Sequence, residues 1–130
     1  MNSGTNKKSI LISGCSSGIG LSSAKALSLR GWEVFAGCRK QKDVEFLQGI
    51  GLDAIRLDYT DQTSIKKAVN TVLTKTNGRL DALFNNGAYA IPGALEDMPT
   101  EAIRAIFETN VFGWHSLTRL IIPVMRAQGH

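Results

Sequence analysis

Three glycines, at positions 14, 18 and 20, stand between a short apolar run and the start of a helical pattern. The run Ser9-Ile10-Leu11-Ile12 is rich in β-branched residues and ends at Ser13. Beyond Gly20, Ala24, Ala26, Leu27 and Leu29 carry helical character to a stop at Gly31. Strand, glycine turn and helix start are the context that a dinucleotide-binding fingerprint requires. Such a turn must be tight, must let backbone approach a pyrophosphate closely, and must pack helix on strand without an intervening side chain. The helix N-terminus then presents unpaired N–H groups and the positive end of its dipole to phosphate. A flexible surface turn is the competing explanation, and the flanking strand and helix argue against it. No Gly-Lys-Ser/Thr follows the loop, which excludes a P-loop.

The rest of the chain keeps alternating the two periodicities. Strands are predicted at 10–13, 32–38 and 54–57, the last brief and near a sheet edge, and at 80–85, apolar enough to be buried on both faces. Helices are predicted at 18–30 and 41–48. Thr60 or Asp61 caps a further helix whose apolar positions Ile65, Ala68, Val69, Val72 and Leu73 keep i, i+3, i+4 spacing. From Pro99 one long helix runs to about Gln128, kinked near Gly113, with Ile103, Phe107, Trp114, Leu117, Ile121 and Val124 on its apolar face. Alternating β and α units imply an α/β fold with a doubly wound parallel sheet and right-handed crossovers.

Composition narrows the partners. A chain of 130 residues with 43% hydrophobic and 20% charged residues fits one small globular domain, 1–130. The net charge of +4 has no basic cluster beyond Lys7-Lys8 and Arg39-Lys40, which argues against nucleic acid and suits an anionic cofactor. Two cysteines, Cys15 and Cys38, make no disulfide framework, so a reduced, cytoplasmic chain is expected. Residues 1–8 form a polar tail without a signal-peptide pattern, and no apolar stretch approaches the roughly 20 residues of a membrane span.

The glycine spacing is G-x-x-x-G-x-G, with Cys15, Ser16 and Ser17 inside the first gap. It resembles the T-G-x-x-x-G-I-G pattern of the short-chain dehydrogenase/reductase family; Ser13 stands where Thr is commoner, and Gly18-Ile19-Gly20 match outright. The resemblance implies a Rossmann-type sheet, a nicotinamide cofactor, and hydride transfer with a small-molecule carbonyl or alcohol substrate. It assigns Ser13, Gly14, Ser16, Ser17, Gly18, Ile19 and Gly20 to the pyrophosphate and nearby ribose. At the end of the second strand, an acid would bind the ribose hydroxyls of NAD, and a basic group the 2′-phosphate of NADP. Here Cys38 takes the position of that acid and Arg39-Lys40 follow, which favours NADP(H) over NAD(H); a solvated basic pair is the competing reading.

By the same resemblance Asp58 accepts from the adenine amino group, aided by the Tyr59 backbone. Asn85-Asn86-Gly87-Ala88 looks like the family's N-N-A-G beside the cofactor ribose, with its last two residues exchanged. Asn110, followed by Gly113, resembles the catalytic Asn that holds a water in the family's proton relay. An amide between Phe107 and Trp114 on an apolar face must in any case be hydrogen-bonded. Through the long helix, the resemblance also implies a homo-oligomer.

The family's chemistry also needs a Ser and a Tyr-x-x-x-Lys. Tyr59 is followed four positions on by Thr63 and Tyr89 by Gly93, so neither fits. The resemblance therefore covers the first half of the family's domain, through the fourth strand and the long helix. Two readings stand: the cofactor-binding portion of an NADP-dependent oxidoreductase, or a non-catalytic NADP(H)-binding sensor or assembly module.

Overall fold

A computed structural model describes residues 7–130, so the polar tail expected over 1–8 lies largely outside the described residues. Strands β1 (Ser9–Ile12), β2 (Glu33–Cys38), β3 (Asp53–Arg56) and β4 (Ala82–Phe84) alternate with helices α1 (Gly18–Leu29), α2 (Gln41–Gly49) and α3 (Gln62–Lys75). After β4 come a one-turn 3-10 helix (Leu95–Asp97), α4 (Thr100–Phe107), a π-helical turn (Glu108–Gly113) and α5 (Trp114–Gln128).

The strands form one parallel sheet in the order β3-β2-β1-β4. Leu11 of β1 lies opposite Phe35 of β2 on one side and Leu83 of β4 on the other. The chain winds outward from β1 to β3 and then returns to the far side of β1. That reversal opens a crevice beyond the carboxyl ends of β1 and β4, the place where open α/β sheets bind ligands.

Alternate strand residues feed two cores, as the period of two dictates. Leu11, Phe35 and Ile55 face Ile65 and Val72 of α3 and Leu117 and Ile121 of α5. Ile10, Ile12, Val34 and Ala54 face the other way, with Ala24 of α1 and Val44 and Leu47 of α2. Each fully buried side chain of this size contributes about 1.5–3 kcal/mol. Asp61 is the cap of α3 and accepts from the Ser64 N–H at 3.1 Å. Helix α1 closes where Gly31 adopts φ +85°, with the Gly31 and Trp32 amides bonded back to the Ser28 and Leu27 carbonyls.

Two expectations need correction. Strand β4 is three residues long, and all three are only half-buried. Among the described residues it pairs with β1 alone, and its side chains are partly buried against the two cores, Leu83 on one face and Ala82 and Phe84 on the other. The long helix is interrupted by the π turn rather than kinked at one residue. Leu117 and Ile121 are fully buried as expected, yet Ile103 and Phe107 are 36% and 48% exposed.

Candidate functional site

Ser13 and Gly14 leave β1 at the crevice and begin a loop that enters α1. Gly14 has φ +68°, and a Cβ there would stand 2.6 Å from the Gly87 Cα. Gly20, in the first turn of α1, packs against the Gly14 carbonyl and leaves no space for a Cβ. Around Gly18, by contrast, nothing lies within 4 Å of where a Cβ would stand. Ser17 caps α1 without a side-chain hydrogen bond, so the first-turn N–H groups keep their capacity for an anionic guest. A tightly packed loop floor with an open, unpaired helix entrance fits a pyrophosphate.

A cavity of about 220 Å³ sits over this loop. It gathers Ser13, Gly14, Ser16, Arg39, Asp58, Tyr59, Gly87 and Ala88 from four separate parts of the chain. Ser17, Gly18 and Ile19 line the loop's exposed rim beside it, Ile19 being 71% exposed. Lys40, exposed, caps α2 one residue from Arg39. Tyr89 also lines the cavity, as do Leu57, Thr60 and Thr109, three residues that sequence reasoning missed.

At the end of β2 the Cys38 side chain is buried, and burial followed by the nearby Asp43 charge raises its thiol to about 11. Cys15 in the loop rises to about 12, chiefly by burial and secondarily through Cys38. Both thiols are therefore neutral at pH 7, and the strand end carries no negative charge. Among the described residues Arg39 makes no ion pair, and its side chain lines the cavity.

Asp58 holds the turn that follows β3. Its Oδ1 accepts from the Thr60 N–H and hydroxyl at 3.0 and 2.9 Å, while its Oδ2 lies 3.5 Å from Arg56. It is a turn residue that also lines the cavity.

Behind the cavity runs a continuous hydrogen-bond network. The Ser13 hydroxyl oxygen accepts from the Asn86 and Gly87 N–H groups at 3.0 and 2.9 Å and lies 2.6 Å from the Tyr59 hydroxyl. Tyr59 donates to Asn85 Oδ1 at 2.7 Å, and Asn85 Nδ2 donates to the Thr118 hydroxyl at 3.0 Å. Asn86 Nδ2 donates to the Ser13 and Gly14 carbonyls. Trp114 Nε1 donates to the Gly87 carbonyl at 2.7 Å, so a residue read from sequence as apolar core also anchors the turn. Burial raises the Tyr59 phenol to about 12, although the Ser13 contact opposes the shift. The phenol stays protonated across the physiological range.

Asn110 is half-buried in the π turn and is not among the residues lining the cavity. Its Oδ1 accepts from the Tyr89 N–H at 3.2 Å and its Nδ2 donates to the Tyr89 carbonyl at 2.8 Å. The amide is satisfied by the segment that follows β4, not by the apolar core.

A parallel sheet with a reversal at β1, a glycine loop into α1, and a cavity over both define a dinucleotide-type α/β domain. The chain belongs to the short-chain dehydrogenase family, whose model matches residues 8–130. It is 38% identical over 123 residues to the uncharacterized oxidoreductase YbbO of Escherichia coli strain K12, covering 95% of this chain and 46% of that protein. It is similar to 3-ketoacyl-(acyl-carrier-protein) reductase of Brucella melitensis complexed with NADH, at TM-score 0.85 and 30% identity, over 94% of this chain and 51% of that one. NADPH-bound carbonyl reductase from chicken fatty liver is likewise similar, at TM-score 0.82 and 28% identity, over 92% of this chain and 49% of that one. The chain thus spans about half the length of the relatives it matches. No helix among the described residues is long and apolar enough to cross a membrane.

Proposed function

We propose that this chain binds NADP(H) as the cofactor-holding portion of a short-chain oxidoreductase acting on a small-molecule carbonyl or alcohol. The observation that carries the reading is the end of β2: a buried neutral thiol where a carboxylate would favour NAD, then Arg39 on the cavity wall with no ion pair among the described residues. One similar structure holds NADH and another NADPH, so likeness alone does not choose. Arg39 supports NADP(H), because a guanidinium fork matches a phosphate monoester and finds no equivalent partner in a bare ribose hydroxyl.

In this reading the α1 N-terminus and Gly14 to Gly20 hold the pyrophosphate. Arg39 and Lys40 take the 2′-phosphate, Asp58 and the Tyr59 backbone flank the adenine, and Asn85 to Ala88 border the ribose. When bound, the nicotinamide supplies or accepts the hydride. Asn110 holds the Tyr89 segment in place beside it, in the position of the family's relay Asn.

The test is cofactor affinity of the intact protein and its Arg39→Ala variant. NADPH is expected to bind more tightly than NADH, and the substitution to cost NADPH about tenfold or more while leaving NADH nearly unchanged, as for loss of a charge-assisted phosphate contact. Equal affinities, or loss of both cofactors alike, would sink the NADP assignment. An intact protein that binds NADPH yet oxidises it with no carbonyl in a broad panel would instead be a binding module.

A further inference from the structure

We propose that Tyr59 and Gly87 are a matched pair, with Tyr59 the positioning residue that locks the glycine loop to the Asn86–Gly87 turn. The inference rests on the dinucleotide reading of that loop. Tyr59 is 6% exposed, and its ring centroid lies 6.5 Å from that of Trp114. A Cβ on Gly87 would come 3.1 Å from Tyr59 Cε2 and 3.2 Å from the Gly14 N, tighter than ordinary packing. A Cβ on Gly113 would collide with Tyr59 Cβ. Glycine thus stands on both sides of the ring: at 113, in the π turn, no Cβ fits, and at 87, in the turn after β4, a Cβ would press on the ring. This gives the exchanged Gly-Ala order of residues 87 and 88 a physical reason.

The Ser13 proton has two acceptors in reach, the Phe84 carbonyl at 3.5 Å and the Tyr59 oxygen at 2.6 Å, and the shorter contacts of the network select one arrangement. Thr118 donates its hydroxyl to the Trp114 carbonyl at 2.7 Å, so it must accept from Asn85 Nδ2. That fixes Asn85 Oδ1 toward Tyr59, which must donate to it. Tyr59 has one proton, so it accepts from Ser13, and the Ser13 lone pairs are left for the N–H groups of Asn86 and Gly87. Tyr59 thus accepts the Ser13 proton while the Ser13 oxygen grips the turn, and the turn lies against Gly14. Through Ser13 the phenol sets the spacing between the pyrophosphate loop and the ribose-side turn.

The experiment compares Gly87→Ala, Tyr59→Leu, their combination and Tyr59→Phe in the intact protein. Cofactor-free Tm and NADPH Kd are measured, the latter at a temperature where every variant is folded. Leu removes the ring atoms that meet Cβ, so the double variant is expected to bind more tightly than the product of the two single losses by about fivefold or more. Tyr59→Phe keeps the ring and loses the hydroxyl, and is expected to weaken NADPH binding about fivefold. Single effects that simply multiply would overturn the pairing. A lowered Tm with unchanged Kd in Tyr59→Phe would overturn the positioning role, since a purely structural phenol does only that. Failure of the dinucleotide reading looks different: the unsubstituted protein then binds neither NADPH nor NADH. The Tm values of the four variants would still decide whether Tyr59 and Gly87 are coupled.

Discussion

The glycines of the loop differ in what they tolerate, and the difference separates folding from binding. At Gly20 the position of a Cβ is taken by the Gly14 carbonyl, backbone that cannot swing aside. Gly20→Ala is therefore expected to cost about 1–3 kcal/mol or more by overpacking, read as a lowered Tm without any ligand present. Full stability in that variant would show that α1 can shift away from β1. The need for glycine was legible in the sequence because strand, turn and helix must converge there. Leu57, Thr60 and Thr109 were not legible as site residues, since ordinary side chains line a cavity only through the folds of other segments. Trp114 was half legible: spacing gave its apolar ring a place in the core, but its N–H bond to the Gly87 carbonyl belongs to tertiary geometry.

Elements with a private periodicity were read well. Of the five positions that the spacing of α3 picks out, Ile65, Ala68, Val69 and Val72 are buried and Leu73 partly so, and Asp61 is one of the two caps expected. The π turn left no trace in the pattern, because its cause lies elsewhere in the chain: Gly113 is pressed onto Tyr59, and Asn110 is turned out to Tyr89. The β1–β4 pairing has a similar hidden support at its start. Asp81 accepts from the Ser9 N–H at 2.7 Å and hydroxyl at 3.1 Å, and lies 2.8 Å from the His130 ring. The His130 contact first, and the Ser9 amide second, pull its carboxyl from 3.8 down to about 2. A depressed carboxylate stabilises the fold above its unfolded pKa, and that contribution fades as pH falls through the folded value. Asp81→Asn is accordingly expected to lower Tm at neutral pH and to flatten the part of the acid decline between about pH 4 and pH 2. Parallel Tm-against-pH curves for the two proteins would show that the carboxylate contributes nothing to β1–β4 pairing.

At the scale of the whole molecule, two surfaces are unlike those of an ordinary soluble monomer. Ile103, Phe107, Val111 and Phe112, from α4 and the π turn, are 36 to 52% exposed over a span of ten residues. Beside β4 the sheet ends in a strand with one paired side. The sequence showed the apolar residues at 103 and 107, but helical spacing marks an apolar stripe without saying what covers it. Contiguous apolar surface and an open strand edge both favour association. Prepared as residues 1–130 alone, the chain is expected to self-associate, with a light-scattering mass that rises with concentration. Phe107→Arg places a charge in the apolar stripe without touching either core, so it should shift that mass toward the monomer while leaving the cofactor site intact. A sharp monomer at every concentration would mean that the stripe and the strand edge are too small or too separate to join copies of the chain.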